Sequence, residues 1–139
     1  MNVEEIMTPS PERILITDTV ASAIDKLFEV DVRHLPVVDE NDDLIGMVSD
    51  RDLRSFSLPY MTEHEAVTGA EDRTAAPISD VMQGDVISVG TDADLSEVIS
   101  LMIDHKVGAI PVVDALEGGL VGIVSYIDVL GLAEEYFAG

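Results

Sequence analysis

The chain has 139 residues, 47% of them apolar and 4% aromatic, enough to bury a mostly aliphatic core in one ordinary domain or two small ones. Its 28 Asp and Glu against 7 Lys and Arg leave a formal charge of −21, a field that repels nucleic acid and anionic membrane surfaces. The absence of cysteine excludes disulfides, thiolate metal sites and cysteine nucleophiles.

So acidic a chain repels itself at low salt and is relieved by screening ions, which points to a salt-rich cytoplasm. The opening MNVEEIM lacks the basic-then-apolar layout of a signal peptide. The stretch LVGIVSYIDVLGLA is broken by Asp128, short of a membrane span. The expected setting is soluble and cytoplasmic.

In chain order, a short opening strand is followed by Thr17, Asp18 and Thr19, which supply helix-start side chains. Ala23, Ile24, Leu27 and Phe28 then recur at helical spacing as a face to be buried. The apolar run LPVVD is a strand opened by a proline, a residue tolerated at a strand's first position. The acidic stretch from Asp39 to Asp43 turns the chain into LIGMVS, as in a hairpin. There Ser49 and Asp52 form an S-x-x-D step into a helix expected over residues 50–57. A Ser followed three residues later by a carboxylate is the signature of a capping box. Residues 57–77, polar and bounded by prolines, read as a linker with room for a helical stretch.

After the linker the same text is written again. Met82 matches Met7, Leu95 matches Val20, and PVVD at 111–114 matches PVVD at 36–39. One extra residue in the second turn follows, after which Gly122, Val124, Ser125 and Asp128 match Gly46, Val48, Ser49 and Asp52. Here Thr91 and Asp92 are the expected helix-start residues, and Leu95, Val98, Ile99 and Met102 the buried face. A last helix is expected over 126–137. The organisation is repeat 1 at 1–56, linker at 57–77 and repeat 2 at 78–139. A unit of this size cannot bury both faces alone, so two copies should pack together with an approximate twofold.

The ordered set I-M-T-P, then R-H-L-P-V-V-D, then G-h-h-S-x-x-D, occurring twice, resembles the CBS domain, and the tandem resembles a CBS pair or Bateman module. The resemblance implies an α+β fold, with βαββα in each repeat and two repeats packed by pseudo-twofold symmetry, commonly associating into a homodimeric disc. It implies a non-catalytic chain that binds AMP, ADP, ATP or S-adenosylmethionine between the repeats and regulates a partner protein.

Carried over position by position, the resemblance assigns Asp52 and Ser49 to the ribose hydroxyls and nearby oxygens of one ligand, and Asp128 and Ser125 to those of a second. A carboxylate has acceptors enough for two vicinal hydroxyls, and such bonds are charge-assisted. The first site is expected to take its adenine walls from Ile87, Val107, Gly108 and Ala109, and its phosphate cations from Arg33, His34 and Arg51. The second site meets Glu12 where the first has Ile87, and has Gly108 and Ala109 where the first has cations. One good site and one poor or empty one is the expectation.

Met7, Met47, Met82 and Met102 are expected as core fillers, and His64 and His105 as solvent-exposed residues. The acidic runs 40–43 and 92–94 could hold Mg²⁺ loosely, although they lack the spacing of an EF-hand loop. No Gly-x-Ser-x-Gly elbow, His-x-x-x-His pair or phosphate loop is present, which argues against an enzyme. Two other functions stay open at this level: a ligand-free oligomerisation scaffold whose S-x-x-D motifs only cap helices, and a sensor of Mg²⁺ or S-adenosylmethionine. Leu130, Leu132, Tyr136 and Phe137 either supply a subunit contact or close the core.

Overall fold

The computed structural model describes residues 1–30, 32–63 and 74–139, and side chains among these except in 57–63. They form a mixed α+β fold with four helices, α1 Val20–Val30, α2 Asp50–Glu63, α3 Leu95–His105 and α4 Tyr126–Ala138. The strands are β1 Thr8–Pro9, β2 Ile14–Leu15, β3 His34–Val38, β4 Leu44–Ser49, β5 Val89–Gly90, β6 Ala109–Val113 and β7 Leu120–Ser125. One sheet has the order β2-β3-β4 and the other β1-β7-β6-β5. In each, a two-residue parallel strand precedes the helix, and an antiparallel pair follows it. The written-twice sequence thus gives βαββα twice. No described helix is long and apolar enough to cross a membrane.

The chain forms two compact units, and they do not coincide with the sequence repeats. One contains residues 12–86, the other 1–11 together with 87–139. The opening segment of each repeat therefore belongs to the unit built on the other repeat's body. In one unit the Val3 N–H donates to the Ala93 carbonyl and Leu95 N–H to Met1; in the other Ile78 N–H donates to Asp18 and Val20 N–H to Ala76, all at 2.9 Å. The side chains follow the backbone. Val3 is fully buried with Ile110, Val112 and Val124, and Ile78 is fully buried with Leu35, Val37 and Val48. Met7 closes over Gly122 and Met82 over Gly46, so that a Cβ on either glycine would collide with the thioether. This close approach is why glycine stands in the middle of both β4 and β7.

Helix faces follow the sequence expectation with one correction. Val20, Ala23 and Leu27 of α1 and Leu95, Val98 and Met102 of α3 are buried, with Ile24 and Ile99 packed beside them. Phe28 is 85% exposed, because its position lies at the outer edge of the stripe; its counterpart Ile103 is likewise exposed. Met47 and Met102 are buried, and Met7 and Met82 pack against the cores.

Two boundaries differ from the sequence reading, while a third agrees. Thr19 caps α1, its hydroxyl accepting from Ser22 N–H at 3.2 Å. In the second repeat, however, the cap is Asp94, not Thr91 or Asp92; its carboxylate accepts from Ser96 N–H at 3.1 Å. Helix α2 continues from residue 57 to Glu63, into the stretch read as linker.

The prolines differ as well. Pro36 and Pro111 are the third residues of their strands, not the first. Opposite Pro36, Met47 turns both its backbone groups to Gln83, at 3.0 and 2.8 Å. Pro36 and Met47 are therefore a non-hydrogen-bonded pair, and the missing proline N–H leaves no bond to β4 unmade.

The turn after β3 uses its acids internally. One Asp39 oxygen accepts from Asn41 and Asp43 N–H groups, and Arg13 grips both oxygens of Asp42 at 2.8 and 2.7 Å. Asp114 does the same for Leu116 and Glu117 in the second repeat.

Burial of Val3 by the partner repeat's core yields an expectation unusual for a residue so near a sequence end. Val3→Ala should cost about 2 kcal/mol through the cavity it leaves. The cost is read as a lowered urea midpoint with unchanged slope; an unchanged midpoint would contradict the exchanged packing.

Candidate functional site

In both units the strand that ends at the S-x-x-D serine runs without a gap into a helix, and the two motif side chains close on each other. Ser49 N–H donates to Asp52 Oδ2 at 3.1 Å, and Asp52 N–H donates to Ser49 Oγ at 3.0 Å. Ser125 and Asp128 repeat the arrangement at 2.8 and 3.3 Å. Each is a full capping box, worth about 1 kcal/mol to its helix. Capping uses only one carboxylate oxygen. Among the described residues, Oδ1 of Asp52 and Oδ1 of Asp128 accept no hydrogen bond. Both carboxylates are half-buried at a helix N-terminus, where backbone N–H groups favour an anion.

What surrounds the two boxes differs. In the first, His34 lies directly across the ladder from Ser49, and the Arg33 carbonyl accepts from Asp50 N–H at 2.9 Å. Arg33 and Arg51 are exposed beside the start of α2, and His34 is half-buried. Three of the chain's seven basic residues, Arg33, Arg51 and Arg54, thus stand around one helix start. In the second box Ala109 lies across from Ser125, and the Gly108 carbonyl accepts from Tyr126 N–H at 2.9 Å. The residues matching Arg51 and Arg54 there are Ile127 and Leu130.

The structure therefore brings Ser49, Asp52, Arg33, His34 and Arg51 together, and separately Ser125, Asp128, Gly108 and Ala109. Val107 packs beside the latter core, Ala109 is buried, and Ile87 is half-buried just before β5. Ile87, Val107, Gly108 and Ala109 belong to the unit of residues 1–11 and 87–139. His105 is exposed at the end of α3, and the expectation for His64 lies outside the described residues.

Two charged residues escaped the sequence reading. Asp50, first residue of α2, receives Arg54 Nη2 at 2.9 Å and has Arg33 Nη1 at 3.9 Å. The D-x-x-x-R spacing, a favourable helical ion pair, was the available signal.

Burial lowers the His34 pKa from its ordinary 6.5, partly countered by the Asp52 charge. As pH falls through that value, the unfolded chain binds a proton on this imidazole before the folded chain does, so stability is lost on acidification. His34→Ala, which installs the matched residue of the other repeat, should flatten the fall of melting temperature between about pH 7.5 and about 5.5. A slope identical to that of the native chain would mean that His34 is not the group responsible.

Comparisons with known proteins give this geometry a context. Inosine-5'-monophosphate dehydrogenase of Methanocaldococcus jannaschii is 31% identical over 128 residues, 92% of this chain but 22% of that enzyme's length. The crystal structure of CBSX2 in complex with AMP superposes with a TM-score of 0.80 at 29% identity, covering 96% of this chain and 97% of that one. The cytosolic domain of the Mg²⁺ channel MgtE in complex with ATP gives a TM-score of 0.75 at 30% identity, covering 94% of this chain and 48% of that one. The CBS domain profile matches residues 3–58 and again 78–135. With both copies accounted for, the chain belongs to the CBS domain family as a tandem pair.

Proposed function

We propose that the chain is a regulatory, non-catalytic module that binds an adenine nucleotide of the AMP, ADP or ATP class and passes the change to a partner protein. The observation that carries this reading is the half-used carboxylate of Asp52. One oxygen holds the helix, the other accepts nothing among the described residues, and arginines stand at the same helix start, paired to the neighbouring Asp50. A ribose offers two hydroxyl donors to such an acceptor, and its phosphate suits a helix start with arginines. AMP and ATP complexes among structures 29% and 30% identical to this chain support the same class of ligand.

In this reading Asp52 and Ser49 take the ribose, and Arg33, His34 and Arg51 take the phosphate. Ile87, Val107, Gly108 and Ala109 face the base, as the family's division of roles implies. The second set, Ser125 and Asp128, lacks cations and stays poorly occupied. Signalling requires that the ligand prefer one conformation of the module, since equal affinity for all conformations shifts nothing. Exposed Leu130, Tyr136 and Phe137 on α4 support self-association as a homodimer.

Calorimetric titration with AMP in molar potassium chloride tests the reading. The native chain should release heat on binding. Asp52→Asn keeps a cap acceptor but removes the charge, and should weaken AMP at least about tenfold. Asp128→Asn should leave that affinity unchanged. No heat from AMP, ADP, ATP or S-adenosylmethionine would favour the ligand-free scaffold.

A further inference from the structure

The start of α2 carries a charge arrangement that the fold does not need. In the matched helix α4, Tyr126 stands for Asp50, Ile127 for Arg51 and Leu130 for Arg54, yet both helices begin with the same capping box and the same backbone bond to the residue just before β3 or β6. Capping and packing therefore do not explain why Asp50 is acidic. Its neighbours give a different account. Its carboxylate is two-thirds shielded, at 32% exposure, and it holds the Arg54 guanidinium at 2.9 Å with Arg33 at 3.9 Å. Two of the three arginines at this helix start thus share one counter-charge already built into the protein.

We propose that Asp50 is a specificity-determining residue that sets how long an anionic tail the nucleotide site accepts. The inference rests on the nucleotide-binding reading above and extends it. A monophosphate is met by Arg51, His34, the loosely paired Arg33 at 3.9 Å and the helix N–H groups, and leaves the closer Asp50–Arg54 pair undisturbed. A triphosphate must compete with Asp50 for Arg54 and Arg33, and also approaches the Asp50 charge itself. The like-charge contact grows with each added phosphate, so the aspartate favours a nucleoside monophosphate over a triphosphate.

The test measures AMP and ATP affinities without divalent cations at two potassium chloride concentrations. The proteins are the native chain, Asp50→Asn and, since the fold accepts tyrosine at the matched position, Asp50→Tyr. Asp50→Asn should leave AMP within about twofold and tighten ATP by about fivefold at low salt, the gain shrinking as salt screens it. Adding Arg54→Leu to Asp50→Asn should abolish the ATP gain. Equal changes for AMP and ATP, or a weakening of ATP, would overturn the proposal while leaving native AMP binding, and with it the nucleotide reading, intact. Loss of AMP binding by the native chain would instead remove both.

Discussion

The hydrogen-bonded exchange between a serine and an aspartate one helical turn apart fixes how strand passes into helix in both repeats. It ends β4 or β7, starts the following helix and holds a carboxylate at the seam between them. A cap alone could be made by any of several residues. A cap made with a carboxylate leaves one oxygen over, at a place where helix N–H groups already favour negative charge. In the proposed reading, structure and recognition draw on two oxygens of the same group, so that capping and ligand binding are compatible.

Once both repeats possess this device, their difference lies in its surroundings. Arg33 and His34 in the first repeat are replaced by Gly108 and Ala109 in the second, and Arg51 by Ile127. In a chain with only 7 basic residues, concentrating three beside one helix start creates a local field opposed to that of the whole molecule. The cation-poor counterpart shows that the scaffold stands without those charges.

The repeat, the strand and helix order and the paired S-x-x-D motifs were legible in the sequence because each rests on local pattern: apolar period, turn acids and cap spacing. Phe28 was misplaced because a helical period does not say where a buried stripe ends. The strand starts at His34 and Ala109 are not legible from the prolines, because a non-hydrogen-bonded pairing accommodates proline inside a strand as well as at its end. Asp94 caps α3 although Thr91 and Asp92 offer cap chemistry just before it, and its match in the other repeat is Thr19, the cap of α1. The Asp50 pairs with Arg33 and Arg54 depend on the ladder that brings residue 33 beside residue 50, a long-range relation that spacing alone does not reveal. So does the placement of Val3 and Ile78 in the opposite repeat's core.

That crossing of the opening segments has a consequence for the history and handling of the chain. A lone repeat cut at its sequence borders would carry a lead-in with no pocket to receive it and a pocket with no lead-in to fill it. Two identical fragments could satisfy each other only by trading their first dozen or so residues, as domain-swapped partners do. Joining such fragments end to end turns an encounter between molecules into an internal one, raising the effective concentration of each half for the other. The doubling of the sequence is then a condition of the fold, and halves expressed apart would be expected to find one another again.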